Sequence, residues 1–498
     1  MLRYLSLVIV LQLIISCSNN NLSDQPPNIV FINIDDMGWN DVSFMGSEYY
    51  ETPNIDFLAD NGMVFTQGYA SASNCAPSRA SINTGKWTTR HQIYTVANSD
   101  RGESKHRKLI PIKNTTTLDK KFTVIAQKLK QSGYTTCHSG KWHLSENPLD
   151  YGFDINIAGG HNGAPASYYF PYGKNDHVNK VTLESDQGKY LTDIIMEKTL
   201  SFLDKVDKPF FLHYTPYAVH TPIHKVDSLM NKYINKLPYK GQKNPNYATM
   251  IDNLDRNIGD LINKLKEKKL FDNSLIIFTS DNGGYYGKIT MQKPLRAGKG
   301  SYYEGGIRVP FLFYWKGNIK TGINDKSLIS HLDVFPTIMD AIGDHSMDNE
   351  FDGNSILNSL INGTEVEERS LFWHFPIYLQ GYNIKDNENR DSLFRTRPGS
   401  IIRKGDWKLH YYFEDNENRD SLFRTRPGSI IRKGDWKLHY YFEDKEIELY
   451  DLKNDVGEKN DLSKSETKKA SELMGDLQSW WEKTNAPIPS ELNPDFEL

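Results

Sequence analysis

Asn28-Ile29-Val30-Phe31-Ile32-Asn33-Ile34 is a short apolar run that stops abruptly at Asp35-Asp36-Met37-Gly38. An apolar run of this length with so little alternation fits a strand covered on both faces, as in a parallel sheet between helices. The pattern recurs. Leu275-Ile276-Ile277-Phe278-Thr279-Ser280 runs into Asp281-Asn282-Gly283-Gly284, and Pro209-Phe210-Phe211-Leu212-His213-Tyr214 leads to His220-Thr221-Pro222. Tyr134-Thr135-Thr136-Cys137-His138 leads to Gly140-Lys141-Trp142-His143. Helical segments are predicted between these runs. Residues 247–271 carry Ile251, Leu254, Ile258, Leu261 and Leu265 at helical spacing, and residues 122–131 carry Phe122, Ile125 and Leu129 before Gly133. Alternating strand and helix predicts an open α/β sheet. Ligands bind such sheets beyond the carboxyl ends of the strands, where acids, an amide, lysines and histidines collect here.

Taken singly, each of these features has an ordinary structural reading. An Asp-Asp pair caps a turn or helix, Asp-Asn-Gly-Gly makes a turn, and a lysine or histidine is usually solvated or structural. Their joint appearance at successive strand ends is what points to a site.

The chain has 498 residues, enough for a large core and more than one domain. Its net charge of −4 excludes the bulk basicity that draws proteins to nucleic acid. Met1-Leu2-Arg3 precedes an almost unbroken apolar run from Leu5 to Ile15, which reads as an export signal. The run ends in Ile14-Ile15-Ser16-Cys17, which resembles the lipobox of bacterial lipoproteins. That resemblance implies a signal peptide over 1–16, lipidation of Cys17, a tether over 17–27, and an exported protein anchored to a membrane through its lipid. The expected location is the outer membrane facing the periplasm, with exposure at the cell surface left open. Of the 3 cysteines, Cys75 and Cys137 remain. Sequence leaves a disulfide between them open, although Cys137 sits in a strand where a lone cysteine is usually a small hydrophobe.

Cys75-Ala76-Pro77-Ser78-Arg79 matches the Cys-x-Pro-x-Arg motif that formylglycine-generating enzymes recognise. Further blocks stand before and after it along the chain: Asp35-Asp36-Met37-Gly38, Gly85-Lys86, Gly140-Lys141-Trp142-His143, Asp281-Asn282-Gly283, and residues 298–310. Gly434-Asp435-Trp436-Lys437-Leu438 and Glu448-Leu449-Tyr450-Asp451-Leu452 extend the match. From residue 28 to about 460 the chain resembles the type I, formylglycine-dependent sulfatases of the alkaline phosphatase superfamily. The resemblance implies an α/β domain over 28–365, with a mixed, mostly parallel sheet flanked by helices. A smaller C-terminal subdomain over 366–498 is expected to hold an antiparallel sheet and a helix.

It also implies the chemistry. A maturation enzyme converts Cys75 to formylglycine, whose hydrate offers one hydroxyl to attack sulfur and a second to break the resulting sulfo-enzyme bond. Asp35, Asp36, Asp281 and Asn282 are the implied metal ligands. Being oxygen donors only, they suit a hard cation, calcium above magnesium. Asp281 is also placed to take the proton of the attacking hydroxyl, and Arg79 to orient the diol. Lys141 and Lys299 are assigned to the sulfate oxygens. His220 is assigned as the acid on the departing sugar oxygen, with His213 and His224 as its competitors, and His143 as the base that releases sulfate. The implied substrate is a sulfated polysaccharide or oligosaccharide. Two alternatives stay open: a phosphonate or phosphate ester hydrolase of the same superfamily, and a carbohydrate-binding lipoprotein in which Cys75 is never converted.

One feature departs from the family. Residues 386–414 recur without a change as 415–443. Each copy contains Ser-Ile-Ile-Arg-Lys-Gly-Asp-Trp-Lys-Leu-His-Tyr-Tyr-Phe, which reads as two strands around a Gly-Asp turn. The second copy is expected in the C-terminal sheet and the first outside it. Arg395 and Arg397 of the first copy are either solvated or close to substrate.

Overall fold

The computed structural model describes residues 25–100, 104–173, 181–378 apart from 208, 288 and 348, the strands at 401–404 and 407–410, and 427–496 apart from 444. The signal peptide, Cys17, most of the tether, Arg395 and Arg397 lie outside the described residues. Among the described residues no helix is long and apolar enough to cross a membrane.

Strand β1 (Asn28–Ile34) is buried at every position. It pairs in parallel with β5 (Phe210–Thr215) on one side and β6 (Ser274–Ser280) on the other. Adding β2 (Met63–Tyr69), β3 (Thr135–Gly140), β4 (Ile155–Ile157), β7 (Arg308–Tyr314) and β8 (Gly322–Asn324) gives the order β4-β3-β5-β1-β6-β7-β2-β8. A short β9 (Ile329–Ser330) lies beside β2. Only β7 runs against its neighbours, β6 and β2, so the sheet is mixed and mostly parallel.

The pleat divides each run between two cores. Ile29, Phe31, Phe211 and Ile277 face helices α1 (Cys75–Thr84), α2 (Ile125–Gln131) and α5 (Val334–Ala341). Val30, Ile32, Leu212 and Phe278 face α3 (Leu191–Lys205) and α4 (Pro245–Glu267). This two-sided burial explains the near-continuous apolar strands. Helix α4 starts earlier than its apolar spacing predicts, because the Asn244 side chain caps it and Pro245 occupies its first turn. It ends at Glu267, and a separate turn covers Phe271–Asn273. Helix α2 begins at Ile125, not Phe122: Val124 is extended, and its N–H donates to Gln127 Oε1 at 3.0 Å.

Two imidazoles lie inside this core. His138 and His213 are register partners on β3 and β5, with ring centroids 5.1 Å apart. His213 stacks on Phe31 at 5.2 Å, and neither of its ring nitrogens has a hydrogen-bond partner. Burial holds His138 down to about 3 and His213 well below the ordinary imidazole value. The unfolded chain therefore binds more protons once the pH drops below about 6.5, so stability falls from there toward pH 3. Replacing His213 by Leu removes two unsatisfied polar atoms. Thermal melts at decreasing pH are expected to show a higher melting temperature and a shallower acid slope for H213L. A steeper slope would contradict this account.

The C-terminal sheet is antiparallel, in the order β10 (Ser370–Phe375), β13 (Gly428–Lys433), β14 (Trp436–Tyr441), β15 (Ile447–Asp451). Helix α6 (Thr467–Thr484) packs Leu473 and Leu477 against Ile431, Leu438 and Leu449. Strands β13 and β14 come from the second copy of the repeat. In the first copy, β11 (Ile401–Lys404) and β12 (Trp407–His410) pair with each other in a two-stranded sheet of their own. Lys437 of the second copy is fully buried, with Nζ 3.0 Å from Glu304 and 2.9 Å from Glu458. It thereby joins the small sheet to the segment that follows Lys299. Deleting either copy leaves the same sequence, and the survivor supplies both strands and the lysine. The deletion variant is expected to match the parent in melting temperature and turnover, and a fall in either would give the first copy a role.

Candidate active site

The site begins where β1 and β6 end side by side. Their register pairs Ile34 with Ser280, so Asp35-Asp36 and Asp281-Asn282 emerge together. Asp36 has a left-handed backbone (φ 61°), which breaks the strand alternation that would send successive side chains to opposite faces. Its N–H donates to Asp281 Oδ1 at 3.2 Å. Asn282 Nδ2 donates to Asp36 Oδ1 at 2.8 Å, while the buried Asn282 Oδ1 has no partner. Gly283 is required here, since a Cβ would stand 2.0 Å from the Gly305 carbonyl oxygen. The Asp-Asn-Gly and Glu-Gly-Gly motifs are thus backbone neighbours, and the Gly283 N–H donates to the Gly306 carbonyl at 3.0 Å.

Cys75 is the first residue of α1, and every residue of that helix is buried. Asn74 is extended and donates to Thr95 Oγ1 at 3.2 Å rather than capping the helix. The positive end of α1 is therefore turned to the site without a side-chain cap. One turn on, Arg79 donates from Nε to Asp281 Oδ2 and from Nη1 to the Lys141 carbonyl, both at 2.8 Å. Its Nη1 also donates to Thr215 Oγ1 at the end of β5. On the far side of α1, Ser78 and His331 hydrogen-bond at 2.9 Å and brace the helix.

Lys141 follows β3 and reaches both Asp35 oxygens, at 2.9 and 2.8 Å. Lys299 donates to Asp36 Oδ2 at 2.6 Å. Its loop is pinned on both sides: Lys299 N–H donates to the Gly284 carbonyl at 2.9 Å, and Gly300 N–H to the Ser73 carbonyl at 2.8 Å. His220 Nε2 lies 3.4 Å from Asp36 Oδ2. The Thr221 carbonyl, 2.7 Å from Nδ1, assigns the ring proton of neutral His220 to that nitrogen. His143 is buried with a left-handed backbone (φ 61°), its Nδ1 is unpartnered, and its ring lies against Gly163. Cys75, Asp36 and His220 bring ligand atoms within 4.8 Å of one another, as do Cys75, Asp35 and Asp281.

Charge is crowded here. Burial pushes the Asp35 carboxyl up to about 8 against the pull of Lys141, and Asp281 adds to the rise. Burial acts the same way on Asp36, but Lys299, His220 and Lys141 outweigh it and hold that carboxyl below the ordinary range. Burial raises the Cys75 thiol, yet Lys141, Lys299 and His220 bring it down to about 6. His143 is held well below the ordinary imidazole value by burial and by the charges of Lys141 and Arg79. His220 goes the other way. Burial and Lys299 oppose its protonation, and Asp36 and Asp35 outweigh them.

Asp35, Asp36, Cys75, Arg79, Lys141, His143, His220, Asp281, Asn282 and Lys299 all lie in this one site. The competitors of His220 are accounted for: His213 is core, and His224 Nδ1 accepts the Tyr168 N–H at 3.2 Å. Cys75 and Cys137 are both free and buried. Sequence reasoning passed over Thr215, His331 and Asp41. Asp41 is fully buried and accepts from Thr290, Tyr247 and the Gly38 N–H, bracing the Asp35-Asp36 loop. Its nearness to the Asp-Asp pair was the one signal available.

Residues 27–344 match the sulfatase family model. A protein of Formosa agariphila named sulfatase is 29% identical over 559 aligned positions, covering 96% of this chain and 93% of that one. Human N-acetylgalactosamine-6-sulfatase is 28% identical, covering 70% of this chain and 68% of its own length. Among solved structures, Ps i-CgsB is 28% identical with a TM-score of 0.72, covering 94% of this chain and 95% of that one. It has also been solved in complex with k-i-k-neocarrahexaose.

Proposed function

The chain belongs to the sulfatase family, and from that premise we propose that it hydrolyses sulfate esters of sugars in sulfated polysaccharides or oligosaccharides. The reading includes conversion of Cys75 to formylglycine and a divalent cation, calcium in preference to magnesium. The observation that carries it is the convergence of acids, lysines, Arg79 and His220 around Cys75. Support for a sugar substrate comes from relatives: one is named N-acetylgalactosamine-6-sulfatase, and another has been solved in complex with k-i-k-neocarrahexaose.

The donor set fits a hard cation. Asp35, Asp36 and Asp281 are fully buried carboxylates, and Asn282 adds a buried carbonyl oxygen with no partner of its own. Conversion of Cys75 removes sulfur from the cluster and leaves oxygen donors with one imidazole. These four residues would hold the ion, which when bound supplies Lewis-acid neutralisation of the sulfate charge. Formylglycine supplies, as its hydrate, a hydroxyl for attack on sulfur and a second for release.

The chain's own groups do the rest. The uncapped end of α1 and the Lys141 and Lys299 ammonium groups attract the sulfate oxygens and offset the negative charge that grows on them. Arg79, fixed to Asp281 and the Lys141 carbonyl, holds position 75 in orientation. His220, anchored through Nδ1 to Thr221 and favoured as the imidazolium by Asp36 and Asp35, delivers its Nε2 proton to the departing sugar oxygen. His143 takes the proton from the remaining hydroxyl.

The test is a desulfation screen over defined sulfated oligosaccharides, using protein co-expressed with the maturation enzyme, beside matched aryl sulfate and aryl phosphate esters. Sulfate release with a preference for sulfate esters is expected. A preference for phosphate would move the chain to the other ester hydrolases of this fold. An unmodified Cys75 peptide from the native host, with no ester cleaved, would leave only binding.

A further inference from the structure

We infer that Tyr285 is a specificity-determining residue, the aromatic platform against which the sugar bearing the sulfate ester lies; this rests on the sulfatase reading above. Tyr285 follows Asp281-Asn282-Gly283-Gly284, on a turn that leaves the end of β6 and is tied by a bridge between Tyr286 and Thr290. Its position is fixed from the Lys299 side. The Lys299 N–H donates to the Gly284 carbonyl, and Gly298 packs so tightly that a Cβ would stand 2.8 Å from Tyr286 Cβ.

The ring meets both groups that flank the reacting ester. It stands edge-on to His220, with centroids 6.2 Å apart and planes at 86°, and Lys299 Nζ lies 5.2 Å from its centroid. His220 is assigned to the leaving oxygen and Lys299 to a sulfate oxygen. The atoms attached to that leaving oxygen therefore emerge beside the Tyr285 ring. Most site residues are almost completely buried, whereas Tyr285 is only half-buried. Among the described residues its hydroxyl has no hydrogen-bond partner, so the ring is not held there by a polar bond to the core. A partly exposed aromatic ring beside an acid is suited to the C–H face of a sugar.

A rival role is tuning: the ring polarises Lys299 by a cation–π contact and shields His220. The two roles separate experimentally. Tyr285→Ala and Tyr285→Phe would be assayed on a sulfated oligosaccharide that the parent cleaves, with inhibition by inorganic sulfate measured in parallel. The inference expects Y285A to lose about tenfold or more in kcat/KM, mainly through KM, with Y285F close to the parent. Inhibition by inorganic sulfate should be unchanged, because sulfate alone does not reach the ring. Unchanged kcat/KM in Y285A would overturn the inference. So would an equal loss of sulfate inhibition, which would make Tyr285 a tuner of Lys299. Failure of the parent to cleave any sugar sulfate would defeat the sulfatase reading itself.

Discussion

Replacing Cys75 by alanine is expected to cut sulfate release to the level of a blank while the folded protein still binds its substrate. The position tolerates the change structurally. Cys75 opens a helix that is buried throughout, and alanine is the best helix former with nearly the same backbone demands. The lost group is the small head of one buried side chain, the oxygens that replace the Cys75 sulfur, so the melting temperature should move little. Chemically the loss is total, because no other side chain can supply the attacking oxygen. The lysines and the helix end remain and bind a sulfate without cleaving it. Removing a nucleophile costs on the order of 10⁴-fold or more in kcat. Circular dichroism and calorimetric titration with a sulfated oligosaccharide would report fold and affinity, and sulfate release the catalysis. In the parent, the Cys75 peptide should have exchanged its sulfur and two hydrogens for one oxygen. Residual activity of more than a few per cent in C75A would remove Cys75 from the reaction.

Much of this site was legible because strand ends are where an α/β sheet collects its chemistry. The apolar runs ending at Asp35, Lys141 and Asp281 announced both the strands and the position of the charges, and the observed register brings those ends together. What stayed hidden depends on contacts between distant segments. Thr215 reads as an ordinary strand residue until Arg79 reaches it, and His331 as an ordinary histidine until Ser78 does. The choice of His220 over His213 rested on motif context alone. The physical reason is burial: His213 is sealed between aromatic rings on the core side of β5. The two repeat copies are identical, so only the pairing of β10 with β13 shows which one the small sheet uses. Helix limits moved for local reasons, the Asn244 cap and the extended Val124, that apolar spacing does not encode.

Removal of the divalent cation is expected to have the second large effect, on activity and stability together. Asp35, Asp36 and Asp281 are all fully buried in one pocket, and like charges taken out of water repel strongly unless compensated. Lys141 and Lys299 offset part of this charge, but burial still pushes Asp35 up to about 8. A bound cation with the Asn282 oxygen as a further donor would keep all three carboxylates ionised and free the lysines to face substrate. Chelator-treated protein should therefore lose sulfate release and melt at lower temperature. Adding calcium should restore both. At a hundredfold excess over Kd the stabilisation is about 2.7 kcal/mol, a rise of the order of a few degrees for a chain of this size. Magnesium should restore less, since its small octahedral shell does not suit ligands fixed by two rigid strand ends. Asn282→Ala deletes one neutral donor without unbalancing the carboxylates. It should raise the calcium concentration needed for half-maximal stabilisation, and it should also lower the cation-free melting temperature, because the Nδ2 bond to Asp36 is lost with the side chain. Melting curves indifferent to chelator and calcium, with activity intact, would show that the lysines alone balance these acids and that the cluster is no cation site.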